Sequence, residues 1–370
     1  MKQLLKGGKV WRSDGGFWED CPVLLEDGYI RAVGTEAAFD TVVDVRGLTV
    51  LPGLVDVHTH GRSGFDFSTA TRQQMLRMKE DYARAGVTSV FATLASATPE
   101  EWLRSIRDIQ ACGFEGIHLE GRFLNPSKRG AHAQELLAPL DAAELERYLG
   151  EIHVPCHLTA AFELDEDGAF AACARRHGVT LGLGHTAATA AQARAAMERG
   201  VTSFTHLFNA MPPLHHREGG AVSAALLSGN AWVELIVDGM HICPDMVELT
   251  YRCKADRLVL ITDSMEATGC PDGEYAIAGQ KVIVRNGRAE TLDGALAGST
   301  LNLWEGVKNL MRFAGVSLSA AVACATLHPA RMTGIDNMVG SIAPGKRADL
   351  LLVDDALERR MVFAAGKRVL

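Results

Sequence analysis

Eight apolar, β-rich runs recur between Gly53 and Asp263, with alanine-rich stretches of helical character between them. They are GLVDVH (53–58), VTSVFAT (87–93), FEGIHLE (114–120), VPCHLTA (154–160), VTLGLGH (179–185), VTSFTH (201–206), WVELIVD (232–238) and RLVLITD (257–263). Strands that are apolar almost throughout are those buried on both faces, as in a parallel sheet covered by helices. Eight strand–helix units in series predict a closed (β/α)8 TIM barrel. An open doubly wound sheet is the competing architecture, but no glycine-rich nucleotide fingerprint follows the first strand. Intervening segments such as TRQQMLRMKEDYARAG (71–86) and TAAQARAAMERG (189–200) end on a glycine suited to a helix C-cap.

The two ends of the chain have a different texture. KVW (9–11), YIRAVG (29–34) and TVVDVRG (41–47) are short β-type pieces punctuated by glycine and aspartate. ADLLLVDD (348–355) and RRMVFAAGKRVL (359–370) return to that pattern. The expected division is therefore a small β-sandwich built from residues 1–50 and 336–370, with the barrel at 51–335 between them. Asn286–Gly287, inside the alternating stretch 271–290, signals a hairpin excursion after the eighth strand. Helices are expected to resume at Ser299–Phe313 and Ser317–Leu327.

Composition narrows the function classes. A net charge of −8 without any basic block makes nucleic acid and anionic membrane poor partners. The eight cysteines form no CxxC pair, and Cys112, Cys156, Cys173, Cys243, Cys253, Cys270 and Cys324 read as reduced core residues. The opening MKQLLKGGKVWRSDGG lacks the apolar stretch of a signal peptide, and no run reaches membrane-spanning length. A soluble, cytoplasmic protein is expected.

The chemistry lies at the strand ends. In DVHTHG (56–61), His58 and His60 are two apart, so an extended strand points both to one face. The third run ends on Glu120, the fifth on His185, the sixth on His206 and the eighth on Asp263. Barrel active sites gather at the C-terminal face from several strand ends. Four histidines and two carboxylates there form an N/O donor set for a divalent metal, one or two per subunit. Zinc and iron are the leading candidates, with manganese and cobalt as alternatives. A divalent cation acidifies water and polarises a carbonyl. Asp263 is placed to hold that water, take its proton and pass it to a leaving amine. Glu120 is better cast as a ligand bridging two metals. Hydrolysis of an amide is the natural reaction.

Other polar features carry less. HHREGG (215–220) offers Arg217 on a flexible turn, where a phosphate or carboxylate clamp and a solvated surface loop both fit. His132 and His241 are candidates for carbonyl polarisation or substrate contact. His118 reads as a supporting residue two positions before Glu120. His328 reads as structural, and His177 as a helix-end surface residue.

The motifs PGLVDVHTHG, HLEG, FLNPSKRGAH, GHTAA, THLFNAM, REGG, VDGMH, LVLITDSMEATG, PDGEY and LAGSTL, with GSIAPGKRADLLLVD near the end, resemble N-acetylglucosamine-6-phosphate deacetylases of the amidohydrolase superfamily. The resemblance runs in order from about residue 50 to residue 335 and extends into the tail. It implies a principal metal on Glu120, His185 and His206, with His58 and His60 holding a second in members that retain that pair. It makes Asp263 the acid/base and His132 a substrate contact suited to polarising the acetyl carbonyl. It also implies substrate contacts from Asn209, Ala210, Asp238, Gly239, Met240, His241, Leu296, Ala297 and Gly298. Arg217 matches a phosphate-binding arginine that reaches across a homodimer interface. The implied reaction removes acetate from N-acetyl-D-glucosamine 6-phosphate, a small phosphorylated amino sugar. An N-acetylgalactosamine 6-phosphate deacetylase and a non-catalytic sugar-phosphate-binding protein are the alternatives. Three positions depart from the family pattern: Arg122 and Gly219 where proline is usual, and Ser264 where alanine is common.

Overall fold

The computed structural model describes residues 2–370. Its central sheet has eight parallel strands in sequential order: β1 (Leu54–Thr59), β2 (Val87–Leu94), β3 (Gly116–Glu120), β4 (Cys156–Ala160), β5 (Thr180–Leu183), β6 (Ser203–Phe204), β7 (Trp232–Ile236) and β8 (Leu258–Ile261). Each falls within or beside one of the eight apolar runs. Closure comes just beyond β8, where Thr59 and Ser264 form a parallel bridge. There the Asp263 N–H donates to the His58 carbonyl at 2.9 Å, and the His60 N–H donates to the Ser264 carbonyl at 2.8 Å. The result is a (β/α)8 barrel whose seam lies beside the first and last candidate ligands.

Helices cover the strands, and the core runs between the two layers through Met75, Met78, Trp102, Ile106, Tyr148 and Phe170. Several helices begin on reciprocal capping boxes, Thr71 with Gln74, Thr98 with Glu101 and Thr189 with Gln192, each satisfying two orphan backbone donors. Inside the barrel the pattern is unusual. Asp56, His58, Thr93, His118, His157, Thr159, Thr205 and Glu234 are all fully buried. His118 and Glu120 alternate with Ile117 and Leu119 along β3, and the two polar side chains share one face.

Both chain ends build a second unit. One sheet orders Tyr29–Val33, Val23–Glu26, Lys2–Lys6 and Thr41–Asp44. The other orders Lys367–Arg368, Arg359–Ala364, Leu350–Val353, Thr49–Pro52, Lys9–Arg12 and Gly16–Trp18. Leu5, Val10, Val23, Leu25, Val50, Leu350, Leu352 and Phe363 pack into one core with strands from both sheets, which makes a small sandwich from the two termini.

The excursion after β8 is a three-stranded antiparallel sheet, Gly273–Ile277, Gln280–Arg285 and Arg288–Thr291. Asn286 and Gly287 have φ of 51° and 73°, the left-handed pair that a two-residue type I′ hairpin requires. Two expected helices differ in detail. The first starts at Leu303, because Ser299 pairs with Ser264 as an extension of the barrel seam. The second stops at Cys324 and a separate turn of helix follows at Leu327–Met332. Cys243 and Cys253 are exposed, contrary to the core reading, because they lie at the start and on the outer face of the helix Pro244–Lys254. Among the described residues, no helix is long and apolar enough to cross a membrane.

Candidate active site

The strand ends deliver six side chains to one point. His58, His60, Glu120 and Asp263 offer donor atoms that all lie within 4.8 Å of one another, and so do Glu120, His185 and His206. Glu120 joins the two groups. Its Oε1 is 2.9 Å from His206 Nε2 and 3.3 Å from His185 Nε2. Its Oε2 is 3.1 Å from His58 Nε2 and 3.0 Å from His60 Nε2. Asp263 Oδ1 stands 3.2 Å from His60 Nε2 and 3.5 Å from His58 Nε2. One carboxylate thus presents one oxygen to each half of the cluster.

This donor set fits a divalent cation. His185 Nε2 and His206 Nε2 are only 3.0 Å apart. Two ring nitrogens directed at the same carboxylate oxygen are the arrangement a shared cation needs, and a poor one for neutral hydrogen bonding. The charge balance agrees. Burial pushes Glu120 up, but His58, His185 and His206 outweigh it and hold it well below the usual carboxylate range. Burial likewise opposes Asp263's charge, yet His58 and His60 bring it to about 2. On the histidine side, burial disfavours a charged His60, while Asp263 and Glu120 lift it to about 9. Both carboxylates are therefore ionised, and the cluster is calling for positive charge.

The backbone is strained where the candidate ligands sit. His185, His206 and Asp263 have φ of 45°, 29° and 48°, with Phe208 and Ala210 also left-handed. For non-glycine residues such conformations cost roughly 1–3 kcal/mol each, and they concentrate at functional sites. Gly121, after Glu120, shows a steric requirement instead: a Cβ there would meet the Ser96 backbone nitrogen at 2.4 Å.

The cluster lies in a cavity of about 330 Å³, lined also by His132, Asn209, Ala210, His241, Leu296, Ala297 and Gly298. Ile277 and Ala278, from the first hairpin of the inserted sheet, form part of its wall. His132 Nδ1 is 2.9 Å from Ser96 Oγ and 3.3 Å from the Ser96 backbone N–H, which can only donate. Nδ1 is therefore an acceptor, which assigns the ring proton to Nε2. Burial, with His185 nearby, pushes His132 down to about 3, so the ring is neutral and its Nε2–H is a donor. His241 is held by Asp238, whose Oδ2 is 2.6 Å from Nδ1.

Asp238, Gly239 and Met240 do not line the cavity; they form the turn that presents His241, and the Met240 side chain is exposed. Arg217 is not brought to the cavity of its own chain. It lies on an exposed loop beside a separate recess shared with Arg194, His215 and Glu218. The supporting histidines divide as their sequence contexts suggested. His118 is wedged between Thr93 and Thr159, His328 Nδ1 donates to the Leu258 carbonyl, and His177 pairs with Glu146 on the surface. Glu234 and His157, both buried, were not singled out from sequence. Glu234 accepts from both His58 and His157, and although burial pushes its carboxyl up, those two rings hold it at about 2. A lone carboxylate inside the apolar run WVELIVD was the available signal.

The departures are structurally absorbed. Arg122 pairs with Glu144 at 2.7 Å and donates to the Ala97 carbonyl, facing away from the cavity. Ser264 Oγ bonds Thr59 Oγ1 at 2.7 Å and the Gly61 carbonyl at 3.0 Å, stitching the seam. Gly219 keeps φ at −67°, the value a proline would impose.

The model of the amidohydrolase family matches residues 49–369. The chain is 35% identical to an N-acetylgalactosamine-6-phosphate deacetylase of Escherichia coli O157:H7, over 99% of each chain. It is 32% identical to an N-acetylglucosamine-6-phosphate deacetylase of Vibrio furnissii, over 99% of this chain and 94% of that protein. Among solved structures, a mutant N-acetyl-D-glucosamine-6-phosphate deacetylase from Mycobacterium smegmatis, in complex with N-acetyl-D-glucosamine-6-phosphate, superposes with a TM-score of 0.93. The sequence identity there is 34%, over 100% of this chain and 99% of that one.

Proposed function

This chain belongs to the amidohydrolase family, and on that premise we propose that it is a metal-dependent deacetylase converting N-acetyl-D-glucosamine 6-phosphate to D-glucosamine 6-phosphate and acetate. The observation that carries the reading is the convergence of His58, His60, Glu120, His185, His206 and Asp263 at one end of the barrel. Glu120, His185 and His206 would hold the principal cation, and His58 and His60, with Glu120 shared and Asp263 beside them, a second. Zinc or iron suits these donors best. When bound, such a cation lowers the pKa of water and polarises a carbonyl oxygen.

The chain's own groups supply the rest. The ionised Asp263 accepts a proton from the attacking water and delivers it to the departing amine nitrogen. The His132 Nε2–H donates to the acetyl carbonyl oxygen as negative charge develops there. Asn209, Ala210, His241 and Leu296–Gly298 orient the sugar from the cavity wall, with Asp238, Gly239 and Met240 shaping the turn behind His241. Arg217, too far round its own chain to line that cavity, binds the phosphate of a partner's substrate in a homodimer. Eight free cysteines suit a reducing cytoplasm.

Acetate release from N-acetylglucosamine and N-acetylgalactosamine, each with and without the 6-phosphate, tests the reading. The phosphorylated glucosamine derivative is expected to be fastest. Faster turnover of the galactosamine counterpart would reassign the substrate, and no acetate from any of the four would reject the deacetylase reading.

A further inference from the structure

We propose that Glu234, which lies outside the ligand set, is a positioning residue whose carboxylate fixes the ring of His58 with its proton on Nδ1, leaving Nε2 free to bind a cation. This rests on the metal-dependent reading above and concerns how the His58–His60 half is held. Glu234 sits in the middle of β7, in a strand whose every residue is buried, and is itself 0% exposed. Taking a carboxylate out of water costs several kcal/mol unless its lone pairs are used. Here both oxygens are used. Oε2 is 3.2 Å from His58 Nδ1, and Oε1 is 3.1 Å from His157 Nε2. The far side of His157 is tied in turn, its Nδ1 lying 2.9 Å from Thr180 Oγ1.

The chemistry of the acceptor decides the consequence. An ionised carboxylate has no hydrogen to give, so the nitrogen facing it must be the donor. His58 Nδ1 therefore carries a proton, and Nε2, directed at Glu120 and Asp263, is the nitrogen that offers a lone pair. A carboxylate on the rear nitrogen also makes the ring a better ligand. The His118 ring, edge-on at 4.4 Å, keeps His58 from rotating away.

The other site histidines show that this is selective. His185 Nδ1 is fixed by a neutral acceptor, the Lys128 carbonyl at 2.8 Å. The Nδ1 atoms of His60 and His206 have no hydrogen-bond partner among the described residues. Of the four candidate ligand histidines, His58 is the one whose Nδ1 faces a carboxylate among the described residues. Core packing alone would be served as well by glutamine, which differs from glutamate at this site chiefly in being able to donate. A glutamine Nε2 facing His58 Nδ1 would reverse the polarity and put the ring proton on the ligating nitrogen.

The experiment uses the full-length protein, with zinc as the probe, in competition against a chromophoric chelator. Glu234→Gln is expected to weaken zinc binding about 10–100-fold, with Glu234→Asp recovering part of the loss because the charge is restored. The lost activity of Glu234→Gln should return as zinc is raised. A folded Glu234→Gln protein with wild-type zinc affinity would overturn the proposal, as would an aspartate variant no better than the glutamine one. Should neither variant fold, proton NMR of the zinc-loaded wild-type protein decides. A hydrogen-bonded, slowly exchanging His58 Nδ1–H supports the proposal, and a freely exchanging one overturns it. Neither zinc affinity nor this proton depends on substrate, so failure of the deacetylase reading would leave the result standing on its own.

Discussion

The two ends of the barrel each carry a cavity, and the larger one is not the candidate site. At the N-terminal end, a space of about 850 Å³ opens between the barrel and the terminal hairpin, lined by Lys79, Glu115, Arg347, Asp349 and Lys367 among others. Its inner charges are already satisfied. Arg347 pairs with Glu115 at 2.6 Å and Asp349 at 2.7 Å, and Lys79 donates to the Cys112 carbonyl at 3.0 Å. At the C-terminal end the cavity is less than half that volume, yet His60, Glu120, His185, His206 and Asp263 all line it and bring their donor atoms together. Capacity distinguishes the two ends poorly. Unbalanced donors held against desolvation and backbone strain distinguish them well.

That contrast can be broken, beginning with the largest effect. Stripping divalent metal with a chelator should abolish acetate release and lower the melting temperature, since a cation that binds only the folded state stabilises it by mass action. Adding zinc should restore both, and full activity in verified metal-free protein would refute the C-terminal site. Asp263→Asn comes next. It should bind metal but lose at least about 100-fold in kcat, the lower range for a lost general acid/base; steady-state kinetics on the phosphorylated substrate would show it. Arg217→Ala should raise KM for the phosphorylated substrate far more than for its unphosphorylated analogue, and equal changes in the two would remove the phosphate role. The smallest catalytic effect belongs to the opposite end. Arg347→Ala should cost roughly 1.5–3 kcal/mol of stability in denaturant titration, the range for hydrogen bonds to charged groups, while leaving kcat/KM unchanged. A large loss of turnover in that variant would mean that the two ends are coupled.

The strands, their order and the six polar residues at the strand ends were legible because each rests on local chemistry. An apolar run marks a buried strand, and the polar residue that ends it stands out. The inserted hairpin was legible at Asn286–Gly287 for the same reason, since few residues accept that turn. Glu234 was not, because a single acidic residue in an apolar strand gives no hint of the His58 ring on a distant strand. Ser264 and Ser299 were hidden too. Their seam pairing joins segments far apart in sequence and displaced the expected helix start to Leu303. The Arg122 ion pair with Glu144 was hidden as well, because the two residues meet only when the loop after β3 packs on a later helix.

By itself the sequence determined that strand and helix alternate eight times and which polar side chains stand at the strand ends, because periodicity and punctuation act over a few residues. Only the tertiary structure decided that Glu120 gives one oxygen to each half of the cluster, that His132 presents its Nε2–H, and that Arg217 lies off its own chain's cavity. These depend on distances between residues brought together by barrel closure, and no local pattern encodes a distance across a closed sheet.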